Sequence, residues 1–270
     1  MVGSVRRCAS NCASPRHQVL NQQQFFWGNV MNFQKIGRTF ACAIAVAGFA
    51  ALAGAGAAQA EDCPVTHAAL KSALLQADEV DTTGLNNHYW AVVVNRSGTV
   101  CAVAYSGPTV SSQWLLSRQI AAAKAFTANG LSLDGAPIST AMLYPWVQGS
   151  PSGGNPLFGL AAGNPLDGDA VYDGDYAKFG TPEDPLIGKR VGGTITFGGG
   201  LGLYSGNTAV GGLGLSGDTA CADHSTAFRT RNRLARTPTN VADKLIFDNT
   251  NGHPHCPNDR GTAGVTVPAS

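Results

Sequence analysis

Apolar residues along this chain change their spacing several times, and each change marks an element. Val65 and Leu70 flank Thr66 at the spacing of a hydrophobic staple around an N-cap, and Leu70 with Leu74 continues a short helical stripe. Between Tyr89 and Asn95 the period drops to two, with Trp90, Val92 and Val94 on one face. The same pattern returns from Thr99 to Tyr105 after Arg96-Ser97-Gly98, which predicts a β-hairpin. From Ser111 to Asn129 the period is helical, gathering Trp114, Leu115, Ala121, Ala122, Ala125 and Phe126 on one broad face, with Asn129-Gly130 as the stop. Residues from about 145 to 190 are dense in Gly, Pro, Asn and Asp and hold no period, so they predict a long irregular insertion. Strand-like spacing resumes over Gly193–Phe197, Gly200–Tyr204 and Thr208–Leu215, with Ser205-Gly206-Asn207 as a turn and many glycines that call for a closely packed neighbour. Ser216-Gly217-Asp218 then supplies caps for a helix to about Arg236. The sum is an α+β fold: an antiparallel sheet built from two hairpins and covered by helices.

The N-terminal pattern is of a different kind. Lys35 and Arg38 precede an apolar run from Phe40 to about Leu52, and the stretch closes on Ala57-Ala58-Gln59-Ala60. That order of charge, apolar core and small residues predicts a secretory signal within residues 1–60, cleaved after Ala60, with Met31 as a candidate start. The apolar run falls short of the roughly 20 residues that span a bilayer, so no membrane span is expected after cleavage. The leader holds five of the 18 basic residues and none of the 17 acidic ones, so residues 61–270 carry 13 basic and 17 acidic groups, a formal net charge of −4. A mildly acidic chain with scattered cations argues against nucleic acid, whose binding needs Lys and Arg to neutralise phosphates. The remaining 210 or so residues suffice for one domain with a single core.

Cleavage also sorts the cysteines. Cys63, Cys101, Cys221 and Cys256 remain in a periplasmic or secreted protein, where two disulfides are expected and sequence alone permits three pairings. Cys63 just precedes the first helix and Cys101 lies in the hairpin strand beneath it, while a Cys221–Cys256 link would tie the tail to the last helix. These positions favour the pairs 63–101 and 221–256. Free buried thiols are the alternative for all four, and a zinc cluster with nearby histidines is the alternative for Cys221 and Cys256.

Three motifs carry a resemblance: Trp90-Ala91-Val92-Val93-Val94-Asn95-Arg96-Ser97-Gly98, Ser117-Arg118-Gln119-Ile120-Ala121-Ala122-Ala123-Lys124-Ala125 and Val210-Gly211-Gly212-Leu213-Gly214-Leu215-Ser216-Gly217-Asp218. Taken in this order, from about Leu70 to Leu234, they resemble the GlcG/HbpS-like haem-binding family, as a secreted branch. The insertion, the Cys221-Ala222-Asp223-His224 segment and the His253-Pro254-His255-Cys256 tail depart from the family's pattern. The resemblance implies an oligomer-forming domain that binds haem or a similar planar acidic ligand. The alternatives are an enzyme of haem degradation or small-molecule chemistry, and a structural or protein-interaction domain.

For a haem site, His224 is the first candidate, since it shares a helical register with Ala220, Ala227 and Phe228 and neutral imidazole ligates iron. A Cys221–Cys256 link would bring His253 and His255 near it, so His224 and His255 are the expected iron ligands with His253 beside them. Arg229 and Arg233, with Arg236, form a basic stripe suited to carboxylates. A structural histidine and cations complementing a helix C-terminus are the competing explanations. His67 and His88 have weaker claims. Asp167, Asp169, Asp173 and Asp175 lack EF-hand spacing and are expected as solvated turns, and Lys124 as a snorkelling surface lysine. No Walker loop, dinucleotide fingerprint or nucleophile elbow is present, so no nucleotide cofactor is expected.

Overall fold

The computed structural model describes residues 62–149, 155, 157–245 and 252–258; the expected leader, residues 1–60, lies outside the described residues. Helix α1 (His67–Glu79) starts where its cap dictates, the Thr66 hydroxyl accepting from the Ala69 amide at 3.3 Å. It buries Leu70, Ala73, Leu74 and Ala77, the i, i+3, i+4, i+7 stripe of an amphipathic helix, and each buried leucine is worth about 1.5–3 kcal/mol against exposure. Strands β1 (Trp90–Asn95) and β2 (Val100–Tyr105) form the expected hairpin. Gly98 sits at φ +79° in its turn, where the Asn95 side chain accepts from the Thr99 amide at 2.9 Å.

Strands β3 (Gly200–Ser205) and β4 (Thr208–Ser216) make the second hairpin. β4 pairs antiparallel with β1 and joins the two into one four-stranded sheet of order β2-β1-β4-β3. The fold is α+β, as the pattern of periods predicts. Alternation then divides the sheet's faces. Tyr89, Ala91, Val93, Leu201, Leu203, Leu213 and Leu215 form one core with Leu70, Leu74 and Phe228, beneath α1 and α5 (Ala220–Arg233). Trp90, Val92 and Val94 form the other with Ala121, Ala122 and Ala125 of α2 (Leu116–Leu131).

The glycines of β3 and β4 decide how near α2 can come. A Cβ at Gly212 would overlap the Ala125 carbonyl oxygen, and one at Gly214 would overlap that of Ala121 and lie 2.5 Å from the Ala125 nitrogen. The alanine-rich helix therefore rests on bare strand backbone rather than on side chains.

Four local expectations change. The stretch 111–115 is not helical: Val110–Ser112 is a single 3₁₀ turn, Gln113 is extended, and Trp114 and Leu115 are exposed, so α2 begins at Leu116. Gly193–Phe197 is not a strand. Gly192 and Gly193 adopt φ +64° and +83°, which breaks the extended run, and the Ile195 amide donates instead to the Thr127 hydroxyl on α2 at 3.0 Å. α5 stops at Arg233, short of Arg236, because Ala235 turns to φ +52°. Its cap is Thr219, whose hydroxyl accepts from the Ala222 amide.

The insertion is irregular but anchored. It carries the short helices α3 (Tyr144–Val147) and α4 (Gly168–Tyr172), and buries Val171, Phe179, Leu186 and Val191 against the α2 side of the sheet. Arg118 of α2, fully buried, holds it by a bidentate pair with Asp184 at 2.6 and 2.7 Å and by a bond to the Val171 carbonyl at 3.1 Å.

Candidate functional site

Helix α5 is polar by sequence and yet buried around its circumference, enclosing Asp223, His224, Ser225, Thr226, Arg229, Thr230 and Arg231. Sheet and α1 cover two sides. The return segment covers another, where Arg231 pairs with buried Asp243 at 2.5 and 2.9 Å, and the tail around Cys256 is fastened to the first turn of α5 by the Cys221–Cys256 disulfide. The second disulfide joins Cys63 to Cys101, so both pairs are those the element order favours. With both sulfurs committed to a disulfide, Cys221 and Cys256 cannot ligate zinc, and the described residues hold no group of three or more His, Cys, Asp or Glu placed to bind a metal ion.

A charged pair lies at the centre of this enclosure. Lys124 is not a surface lysine: it is fully buried, and its Nζ donates to Asp223 Oδ2 at 2.6 Å and to the Leu215 carbonyl at 3.0 Å, over the face of Phe197. The other Asp223 oxygen accepts from the Gly217 and Asp218 amides, each at 2.9 Å, and so fixes the turn from β4 into α5. Burial pushes the Lys124 amine down and the Asp223 carboxyl up, and each partner's charge opposes the other's shift. Gly199, at φ +116°, leaves the room: a Cβ there would lie 2.8 Å from Nζ.

His224 adjoins this pair, 0 % exposed; neither ring nitrogen makes a hydrogen bond of good geometry, the Asp243 backbone offering only a poorly aligned one. Its value is held well below the ordinary one, first by burial and then by the charges of His253, Arg231 and Lys124, while the Asp243 backbone acts in the opposite sense. His253 roofs it from the tail. The His253 Nε2 accepts from the Gly198 amide at 2.8 Å and its Nδ1–H donates to the Pro254 carbonyl at 2.9 Å, which fixes the neutral tautomer. Burial lowers His253 to about 4.

The structure thus brings His224 and His253 together, and leaves the other predicted residues apart. His255 is exposed on the tail. Arg229 pairs with Asp81 at 2.9 Å beneath α1, and Arg233 lies exposed, nine residues and hence about half a turn of phase from His224. His67 bonds the Gly180 carbonyl and His88 pairs with Asp78. Asp167 and Asp175 cap short helices and Asp173 pairs with Lys189.

Two buried neutral imidazoles make stability depend on pH. An unfolded imidazole titrates near 6.5, so the unfolded chain holds more protons than the folded one between about pH 6.5 and 4. Stability from this source is complete above about 6.5 and is lost progressively as pH falls to 4, by on the order of 3 kcal/mol for His253. Asp223, with its raised value, contributes in the opposite sense. Urea midpoints at pH 7 and pH 4.5 test this; a slope undiminished in His253→Gln would show that His253 is not its source.

The sequence matches no protein-family model, and no curated protein matches it. Two solved structures are similar in fold at 22% identity and a TM-score of 0.41: a PduOC complex with haem, covering 62% of this chain and 89% of that one, and Klebsiella pneumoniae protein ORFY of family DUF336, covering 63% and 90%. At these values neither similarity carries an argument about what this chain binds.

Proposed function

We propose that the protein is a periplasmic or secreted binding protein for haem or a similar planar acidic ligand, acting in sequestration or sensing and as a homo-oligomer, with His224 as the iron donor. The observation that carries the reading is the His224 ring itself. An imidazole buried without a well-formed hydrogen bond forfeits part of the about 1–3 kcal/mol such a bond protects, and a neutral imidazole with an available nitrogen is what haem iron accepts. Two disulfides fit the compartment that the leader pattern implies.

The tail closes the centre, so binding on this reading requires the segment around His253 to lift about its Cys256 anchor. The tail is held there by the His253–Gly198 bond and by Asn258, whose side chain donates to the Gly84 carbonyl at 2.6 Å. Lifting would expose His224, and His255, next to the Cys256 anchor, would have to swing inward to serve as a second donor. Haem would supply the iron chemistry; the chain's own part is to hold a neutral imidazole and exclude water. Arg229 and Arg233 face α1 and would meet propionates only at the rim.

Hemin titration of residues 61–270 is expected to give a shifted Soret band. His224→Ala should weaken binding about tenfold or more and move the maximum, His255→Ala should move it less, and His67→Ala not at all. If His224→Ala and His255→Ala both bind hemin as the parent does, the histidines are structural.

A further inference from the structure

We infer a second binding site, for a small amphipathic monocarboxylate, in the groove between the first turns of α1 and the C-terminal end of α5. The groove has a volume of about 480 Å³. Its apolar floor is Val65, Ala69, Ala73 and Leu234, and its rim holds Arg233 and Arg236. That size falls within the range of small-molecule sites, which combine apolar lining with a few placed polar groups.

The charge is what specifies the ligand. Arg118, Arg229 and Arg231, the buried arginines of the fold, each pair with an aspartate, Asp184, Asp81 and Asp243 in turn. Arg233 and Arg236 pair with no carboxylate among the described residues, and none lines the groove. Both are nevertheless positioned by backbone. Arg236 donates from Nε and Nη2 to the Pro64 carbonyl at 3.1 and 2.8 Å, and Arg233 Nη1 donates to the Arg229 carbonyl at 3.3 Å. Each guanidinium keeps further N–H groups for an incoming oxygen pair, the geometry that arginine offers a carboxylate.

One negative end and a short apolar body satisfy such a groove together. A divalent anion would leave the alanine floor uncovered, and an amine would meet two like charges. The site shares no residue with the buried His224 centre; Arg233, which the haem reading places only at its rim, lies nine residues on, about two and a half helical turns away and on the opposite face, so the His224→Ala control separates the two readings.

Hexanoate is the probe, with hexylamine and acetate as controls, titrated into ¹⁵N-labelled protein of residues 61–270. Hexanoate is expected to shift the Val65, Ala69 and Ala73 amides with saturation, and the controls to shift them weakly. Arg233→Gln, an exposed substitution that spares the core, should raise the Kd about tenfold, and His224→Ala should leave it unchanged. Equal shifts by hexylamine, an unaltered Kd in Arg233→Gln, or no saturable shift with hexanoate would each overturn the site. A peptide ending in a free apolar carboxyl that outcompetes hexanoate would overturn its assignment to small molecules.

Discussion

Replacing Asp223 by alanine is expected to destabilise the fold by about 3–5 kcal/mol, the range for removing one member of a buried ion pair. The loss has two parts. Lys124, fully buried, keeps only the Leu215 carbonyl and the Phe197 ring, and the Gly217 and Asp218 amides lose their common acceptor. Burial already presses the lysine toward its neutral form, so in the variant it deprotonates more readily, and the deficit should shrink as pH rises. Asp223→Asn, which keeps an acceptor for the amides, is expected to fall between the two. The double change Lys124→Met with Asp223→Leu should recover much of the loss, because two apolar groups leave no charge unpaired. Urea unfolding of the four proteins measures this; a midpoint for Asp223→Ala equal to the parent's would mean that the pair contributes nothing.

Gly214→Ala is expected to be at least as damaging, by about 3 kcal/mol or more, although it adds a single methyl group. Overpacking is tolerated where a flexible side chain can move aside. Here the obstacles are the Ala121 carbonyl oxygen and the Ala125 nitrogen, both backbone atoms of α2, so helix and sheet must separate. Separation would also lengthen the Lys124–Asp223 contact, which spans from α2 to α5. Gly206→Ala is a suitable control for backbone strain without crowding, since Gly206 has φ +62° in a hairpin turn and nothing within 4 Å of its Cβ position. Thermal melts should place Gly214→Ala well below Gly206→Ala, and the reverse order would show that α2 can yield.

Both predictions rest on contacts far apart in sequence, and that separates what was legible from what was not. Strand periodicity and a turn are properties of neighbouring residues, so the hairpins from Trp90 and from Gly200 could be read directly, and with them the α+β arrangement. The glycines of β3 and β4 announced a close neighbour for the same reason. Cysteine position within the element order favoured the two observed disulfides over the other pairings. The start of α2 is not legible in the same way, because Trp114 and Leu115 are apolar and fit a helical face; only the packed structure shows them turned to solvent.

The polar interior was beyond local pattern altogether. A lysine in an alanine run reads as a surface residue until an aspartate 99 positions later is brought to 2.6 Å, and Arg118 is no different from any helix cation until the insertion delivers Asp184. His224 could be nominated from its helical register, but the burial that leaves its ring without a well-formed hydrogen bond depends on Gly198 and His253, delivered from distant parts of the chain. The sequence by itself determined the two hairpins, the order of helices and strands around them and hence the α+β class, since those follow from spacing, and it favoured the observed cysteine pairs without deciding them. Which charges are buried, which partner each one meets, and which arginines are left facing an open groove were decided by tertiary structure, because the free energy of a buried charge depends on surroundings that no neighbouring residue supplies.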